Sequence, residues 1–178
     1  VKTLHPAIHA GILARGSNMG DLDTLDSLGY SRIDLVCVNL YPFESVATES
    51  PSVEEDVLLE MIDIGGPTLL RAAAKSHRDV LVVPRKKYYS EVIDALEGAN
   101  HDPNGVSMDL RQRMAISAFQ RTAGYDVMVA STLAERLSVN IESPEGIPPH
   151  LLVSGGKANH LRYGENPHQA AGWFDSSS

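Results

Sequence analysis

The stretch IDLVCVNL, residues 33–40, is a short and nearly continuous apolar run that ends at Tyr41 and Pro42. Such a run is typical of a strand buried on both faces, because a strand with one solvated face would alternate apolar and polar residues. Residues 79–83 (DVLVV) form a similar run that ends at Pro84. Two buried strands of this kind predict a parallel sheet.

Helical patterns surround both predicted strands. Leu22, Leu25 and Leu28 have helical spacing, and the pattern stops near Gly29. Four further helices are predicted. The first runs from a Ser52 N-cap to Asp63, and the second runs from Thr68 to about Lys75 after a break at Gly65, Gly66 and Pro67. The other two cover residues 87–98 and 107–134. Strands that alternate with helices predict the α/β class, with a parallel sheet flanked by helices and ligands beyond the carboxyl ends of the strands.

The composition is that of a soluble globular protein. Of 178 residues, 43% are hydrophobic and 21% are charged, which suffices for a buried core. The formal net charge of −8 disfavours nucleic acid as a partner, because phosphate backbones are held by clustered Lys and Arg. No targeting pattern or long apolar span occurs in the sequence, so no membrane partner is expected. The single cysteine, Cys37, cannot form an internal disulfide, which fits a reducing, cytoplasmic setting.

A change in composition predicts the domain boundaries. Residues 139–149 (VNIESPEGIPP) are rich in Pro, Ser and Glu, as linkers between domains are. We therefore expect one α/β domain over residues 1–138. Residues 150–178 are too short for a domain of their own and are expected to begin a second one. Because the sequence starts directly on a motif, both ends are expected to be cut.

Two segments, VNLYPF and IDIGGPTLLRAAAK, carry candidate site residues. Asn39 and Tyr41 follow a predicted parallel strand, where an α/β sheet exposes side chains to ligand. Asp63 and Gly65 lie in a loop before a helix, and the amides of such a loop can bind an anion or a carbonyl oxygen. These positions predict a binding site for a small molecule at the strand ends.

Simpler structural roles are open for the same residues. Tyr41 could be an aromatic cap over the core, and the glycine pair could be a turn with Asp63 at a helix end. Lys75 could be a surface charge in a weak ion pair. An uninterrupted helix would hold Lys75 about 18 Å from Asp63, at ~1.5 Å per residue, so the glycines must fold the chain back if both serve one site.

The opening stretch VKTLHPAIHAGIL places Lys2 and Thr3 beside two histidines and Gly11. The glycine could let the backbone approach a ligand. His5 and His9 would share one face of a helix, which suggests zinc. An intervening proline and the missing Glu of the HExxH pattern disfavour that alternative, so no metal is expected.

The closing stretch LRYGENPHQ is dense in polar functional groups that core packing does not require. Arg162 could bind a phosphate or carboxylate, and Tyr163 could stack on a heterocycle. The structural alternative is a polar loop at the entry to a domain.

In this order, VKTLHPAIHAGILAR, VNLYPF, IDIGGPTLLRAAAKSH and LRYGENPHQ resemble the bifunctional purine-biosynthesis enzymes. Those enzymes formylate aminoimidazole-carboxamide ribotide (AICAR) and close the product (FAICAR) to inosine monophosphate (IMP). The resemblance spans nearly the whole chain. It implies a methylglyoxal-synthase-like cyclohydrolase domain, followed by the beginning of a transformylase domain.

The resemblance also implies roles for single residues. It assigns cyclohydrolase catalysis to Lys2, Tyr41, Asp63 and Lys75. Contacts to the nucleotide fall on Val1, Thr3, Val38, Asn39, Ile64 and Gly65, and contacts at the transformylase substrate site fall on Arg162 and Tyr163. The family's phosphate-holding Ser, Lys and Thr would precede Val1.

The reaction that the resemblance implies is an intramolecular ring closure. The carboxamide nitrogen attacks the formyl carbon, and water is then lost. Because the reacting groups are tethered, catalysis is expected to hold the reactive rotamer, stabilise the oxyanion and move protons. Lys75, tuned by Asp63, would transfer protons, while Lys2, Tyr41 and the amides that follow Asp63 would hold the formyl oxygen.

The implied co-substrates and partners are few. The cyclohydrolase needs no cofactor, the transformylase uses 10-formyltetrahydrofolate, and the full-length protein is expected to be a homodimer. We expect the 178-residue fragment to be inactive by itself. Two alternatives stay open: a methylglyoxal-synthase-type lyase, which does not need LRYGENPHQ, and a noncatalytic nucleotide-binding regulatory domain, which does not need the four polar candidates.

Overall fold

A computed structural model of the chain describes residues 2–49, 53–136, 159–162, 166, 168–169 and 171–173. The chain forms two compact units, Val1–Ala123 and Gly124–Ser178. The predicted linker, residues 139–149, lies outside the described residues. The domain bounds inferred from composition therefore stay a prediction.

Helices and a small sheet build the first unit. The helices are α1 (Pro6–Leu13), α2 (Met19–Ser27), α3 (Phe43–Glu49), α4 (Glu55–Glu60), α5 (Gly65–Lys75), α6 (Tyr89–Gly98) and α7 (Met108–Arg136), which continues into the second unit. Short 3-10 helices cover Lys2–Leu4, Lys86–Tyr88 and Pro103–Gly105. Among the described residues, no helix is both long enough and apolar enough to cross a membrane.

The sheet confirms the predicted parallel pairing. Strand β1 (Leu35–Cys37) runs parallel to β2 (Leu81–Val83), with Leu35 opposite Leu81 and Cys37 opposite Val83. All three residues of β2 are buried, as the apolar run predicts. The first strand is shorter than the run 33–40, and Cys37 is exposed, so burial on both faces is wrong at its carboxyl end.

Helix α5 begins earlier than the sequence predicts. Gly65 and Gly66 are its first two residues, so the predicted break at the glycines is wrong. Pro67 takes the third position, where the missing N–H would have no acceptor within the helix. The helix then runs without interruption to Lys75.

The neighbouring helices follow the predicted patterns with different ends. Helix α2 ends before Gly29, whose φ of 66° allows the left-handed conformation that terminates helices. Helix α4 begins after Glu54, which makes no side-chain cap, so the predicted Ser52 N-cap is wrong; Ser52 itself lies outside the described residues. The same helix ends at Glu60, which leaves Asp63 in the connection to α5.

Apolar side chains from several elements form the core of the first unit. Ile12, Phe43, Leu58 and Leu70 are almost completely buried, and each such side chain contributes about 2 kcal/mol through the hydrophobic effect. Gly11 serves this packing and not a ligand, because a Cβ there would collide with the carbonyl oxygen of Ser31. Helix α1 can therefore lie directly against the chain that leads into β1.

A buried arginine connects three segments of the first unit. Arg111, only 2% exposed, donates from Nη1 to the carbonyl oxygens of His77 and Arg78 at 3.2 and 2.7 Å. Its Nη2 donates to the carbonyl oxygen of Pro103 at 2.7 Å and to Oδ1 of Asn104 at 3.1 Å. The guanidinium thus joins α7 to the turn before β2 and to a 3-10 helix.

The second unit contains a β-hairpin. Strand β3 (Asn159–Leu161) runs antiparallel to β4 (Ala171–Trp173), with His160 opposite Gly172. Between them, the amide of Gln169 donates to the carbonyl oxygen of Asn166 at 3.0 Å, and the Asn166 amide donates to Oε1 of Gln169 at 2.9 Å. The polar part of the LRYGENPHQ motif therefore lies in the connection of this hairpin.

Replacing Arg111 with Met should lower the free energy of unfolding by about 3 kcal/mol, because buried acceptors would lose their charged donor. Denaturant unfolding followed by circular dichroism measures the change. Arg113→Met is the matched control on the same helix: Arg113 is 49% exposed and bonds only to Glu91 and Asp109 among the described residues, so its loss should cost less than about 1 kcal/mol. Equal losses in the two variants would contradict a structural role for Arg111.

Candidate active site

A cleft of about 640 Å³ lies where the carboxyl end of β1 meets the connection between α4 and α5. This volume suits a small molecule, and strand ends of this kind are where parallel sheets bind ligands. The lining residues are Thr3, Cys37, Val38, Asn39, Tyr41, Leu59, Glu60, Ile62, Asp63, Ile64, Gly65, Gly66 and Leu69.

The cleft brings together most of the residues singled out from the sequence. Those that line it are Thr3, Val38, Asn39, Tyr41, Asp63, Ile64 and Gly65. They come from three separate motifs, which the 3-10 helix at Lys2–Leu4, the end of β1 and the start of α5 carry. Distant sequence positions therefore converge on one surface.

Other predicted residues are not placed in the cleft. Val1 and Tyr163 lie outside the described residues, and only the backbone of Lys2 is described, next to Thr3. Arg162 is exposed after β3, in the second unit.

Lys75 lies at the opposite end of α5 from Asp63. It is the exposed last residue of a helix that begins at Gly65, so the two helix ends are about 15 Å apart along the axis. The glycines do not fold the chain back, because they belong to the helix itself. The structure thus separates Lys75 from the cleft lining.

The carboxylate of Asp63 holds two walls of the cleft together. Its Oδ1 accepts a hydrogen bond from the Gly66 amide at 2.7 Å, and its Oδ2 accepts one from the Tyr41 amide at 3.2 Å. A carboxylate at a helix N-terminus is also stabilised by the helix dipole, by about 0.3–1 kcal/mol. The loop after β1 is thereby fixed to the start of α5, and Tyr41 is 55% exposed.

Gly66 is required by the position of that carboxylate. A Cβ at Gly66 would collide with Oδ2 of Asp63 and would lie 2.8 Å from Cδ2 of Leu40. The carboxylate can therefore approach the helix start only because no side chain stands there.

The first amides of α5 provide positive potential beside the carboxylate. Ile64 occupies the N-cap position without a side-chain cap, and Gly65 is the first helical residue. No carbonyl of the helix can accept from amides at these positions, so they are suited to bind an oxygen that carries negative charge.

Tyr89, at the start of α6, fixes the orientation of Asn39. The Asn39 Nδ2 donates to the Tyr89 hydroxyl at 2.7 Å, which leaves Oδ1 of Asn39 as an acceptor for a ligand. Cys37 Sγ lies 3.5 Å from the same hydroxyl. The hydrogen bond with Cys37 raises the pKa of Tyr89, whereas the donor from Asn39 acts in the opposite direction.

Neither the contact of Tyr89 with Asn39 nor the approach of Asp63 to Gly66 follows from the sequence patterns. The close approach of the Asp63 carboxylate to Gly66 is visible only in three dimensions. A signal for Tyr89 was available, because it follows the second predicted strand closely and the carboxyl ends of parallel strands share one edge.

His5, near the chain start, has a structural position. Nδ1 of His5 accepts from the Ala7 amide at 3.2 Å and caps α1. In the part of the chain that the structure describes, no group of three or more His, Cys, Asp and Glu is placed to hold a metal ion.

The sequence profile of the AICARFT/IMPCHase bienzyme family matches residues 73–178, more than half of the chain. The chain belongs to this family. Among curated relatives, the bifunctional purine biosynthesis protein PurH of Jannaschia sp. (strain CCS1) is 42% identical over 179 residues, and its counterpart in Clostridium perfringens (strain SM101 / Type A) is 44% identical over 177. PurH of Prochlorococcus marinus (strain NATL1A) is 45% identical over 175 residues.

These alignments cover 100%, 99% and 98% of this chain but 32%, 33% and 31% of the relatives. The chain thus spans about a third of their length. The crystal structure of ForH is also similar, with a TM-score of 0.64 and 34% identity, over 75% of this chain and 66% of that one. This likeness agrees with an α/β fold that contains a small parallel sheet and helices.

Gly66→Ala should lower the free energy of unfolding by about 2 kcal/mol, because the new methyl group displaces the Asp63 carboxylate. Gly98→Ala is the matched control. Gly98 also lies in a helix, nothing within 4 Å would meet its Cβ, and the substitution should be neutral or stabilise by up to about 1 kcal/mol. Denaturant unfolding compares the two; a loss no greater in Gly66→Ala than in Gly98→Ala would contradict the role given to Gly66.

The hydrogen bonds of Tyr89 predict opposite effects on its pKa. Cys37→Ala should lower the pKa of the phenol, and Asn39→Ala should raise it, because Asn39 donates to the oxygen that becomes negative. Ultraviolet titration of the phenolate measures both shifts, and Tyr89→Phe identifies which transition belongs to this residue. Shifts of the same sign in both variants would rule out this arrangement.

Proposed function

We propose that the chain is part of the IMP cyclohydrolase region of a bifunctional AICAR formyltransferase/IMP cyclohydrolase of de novo purine biosynthesis. The cleft would bind FAICAR as substrate and IMP as product. The observation that carries this proposal is the convergence of three sequence motifs on the cleft, with Asn39, Tyr41 and Asp63 among its lining. Membership of the AICARFT/IMPCHase family supports it independently.

The fold that goes with this function is methylglyoxal-synthase-like. The parallel pair β1 and β2, with helices around it, is consistent with that proposal. The cyclohydrolase domain would cover residues 1–138, a linker 139–149 would follow, and residues 150–178 would begin the transformylase domain.

In the proposed reaction, the carboxamide nitrogen of FAICAR forms a bond to the formyl carbon. The formyl oxygen becomes negative and later leaves as water. The amides of Ile64 and Gly65 would stabilise that oxygen, because they are fixed at the positive end of α5 before the charge develops. Tyr41, which lines the same cleft, would donate its phenol to this oxygen.

Asp63 would hold the Tyr41 loop and the start of α5 in place and would tune Lys75 for proton transfer. Its carboxylate is already oriented by the amides of Gly66 and Tyr41. The remaining catalytic roles rest on the family resemblance: proton transfer by Lys75, and a contact to the formyl oxygen by Lys2, which precedes the lining residue Thr3. The cyclohydrolase step as proposed requires no cofactor.

The remaining proposals concern the whole protein. Arg162 and Tyr163 would contribute to the AICAR site of the transformylase, which uses 10-formyltetrahydrofolate as co-substrate. The full protein would be a cytoplasmic homodimer.

Asp63→Asn and Tyr41→Phe, each made in the full reading frame, should lower kcat for ring closure of supplied FAICAR by about 10²-fold or more. An ultraviolet assay of IMP formation measures the rate, and IMP binding checks that the cleft is intact. Asp94→Asn, which changes an exposed carboxylate on α6, is the control and should leave kcat unchanged. IMP binding without turnover in the wild type would instead favour a noncatalytic domain.

Lys75→Ala in the same assay tests the role that rests on resemblance. Loss of turnover, with Arg78→Ala active as the control, would place Lys75 in the mechanism despite its distance along α5. An unchanged kcat would exclude Lys75 from the mechanism and would leave the residues of the cleft around Asp63 as the whole catalytic site. If Asp63→Asn and Lys75→Ala both turned over at the wild-type rate, the proposed mechanism would fail.

A further inference from the structure

A second cleft, of about 300 Å³, lies beyond the carboxyl ends of β1 and β2. We call it the basic cleft. Its lining residues are Asn39, Leu40, Pro84, Arg85, Lys86, Lys87 and Arg121. It shares Asn39 with the first cleft and has an apolar floor, because Leu40 and Pro84 are buried.

Four of the seven lining residues are cationic, and no carboxylate lines the cleft. The chain as a whole has 15 Lys and Arg against 23 Asp and Glu, so the cluster runs against the overall charge. Like charges held close together destabilise one another unless an anion lies between them. The cluster therefore favours binding of a compact anion.

Two cations of the basic cleft, Arg85 and Lys86, differ in their partners from the arginines that form ion pairs. Arg15, Arg32 and Arg113 each pair with a carboxylate. Within the described residues, Arg85 and Lys86 make no ion pair.

Lys87 has a partner that leaves its charge in place. Its Nζ lies 5.0 Å from the centre of the Tyr88 ring, and such a contact orients the ammonium without neutralising it. A charged donor beside the cleft is therefore already positioned.

Three cationic residues of the basic cleft lie at the start of a helical segment. The 3-10 helix Lys86–Tyr88 begins directly after Arg85, and α6 continues it, so the amides of Lys86 and Lys87 lie at the start of a helical segment. Amides at such positions have no acceptor within the helix. The same residues also line the basic cleft with their charged side chains.

We infer that the basic cleft is a binding site for a phosphate group of a small molecule, separate from the cleft around Asp63. Nucleic acid fits poorly, because the volume is small and the net charge of −8 repels an extended polyanion. The site does not depend on the proposed ring closure. Because both clefts share Asn39, a ligand in one would change the surroundings of the other.

The test uses the full 178-residue chain with inorganic phosphate as the probe. Phosphate affinity is measured by calorimetry, and thermal unfolding is compared in phosphate and in chloride at equal ionic strength. Lys86→Gln/Lys87→Gln should lose at least about tenfold in phosphate affinity and lose the thermal stabilisation. Arg71→Gln/Arg78→Gln, which removes two exposed cations outside the cleft, is the matched control and should keep both.

A third variant, Arg85→Gln, keeps the test decisive if the double variant unfolds early, and it should also lose phosphate affinity. Equal affinity in the wild type and in both cleft variants would overturn the inference, because phosphate would then bind elsewhere, including the Asp63 cleft. No phosphate binding by the wild type would overturn it as well. Neither result bears on FAICAR turnover, so failure here is distinct from failure of the proposed function.

Discussion

The buried guanidinium of Arg111 is the contact on which the arrangement of the first unit depends. It satisfies carbonyl oxygens at the turn before β2 and in the 3-10 helix that precedes α7. In the described part of the chain, the guanidinium bonds to main-chain and amide oxygens and to no carboxylate. These bonds fix the turn that leads into β2, and the carboxyl end of β2 in turn supplies part of the lining of the basic cleft.

Asp63 joins separate segments in the same way, but with a negative charge. Arg111 donates hydrogen bonds to several oxygens, whereas the Asp63 carboxylate accepts hydrogen bonds from the amides of Gly66 and Tyr41. Each uses one charged group to join segments that are distant in sequence. Because these bonds exist before any ligand binds, the amides at the start of α5 need little reorganisation when charge develops beside them.

The sequence predicts the parts of this structure that local patterns encode. The two apolar runs predicted the parallel strands, and Gly29 marked the end of α2. The start of α5 was predicted too late, because a Gly-Gly pair usually breaks a helix. Here the Asp63 carboxylate, which precedes the helix, accepts a hydrogen bond from the Gly66 amide and stabilises the first turn. The contact between Asn39 and Tyr89 spans 50 positions, and no local pattern encodes it. The catalytic role of Lys75 was assigned by resemblance alone. Its distance from Asp63 follows from the unbroken course of α5 from Gly65 to Lys75.

The pairing of β1 with β2 has a consequence for how the molecule folds. Leu35 and Leu81 are 46 positions apart (81 − 35), so the two strands meet only after a long loop has closed at an entropic cost. Nearly all residues of the cleft around Asp63 lie inside or beside that loop. Loop closure and assembly of the cleft are therefore one kinetic event, and a change that slows strand pairing delays the appearance of the binding surface by the same factor.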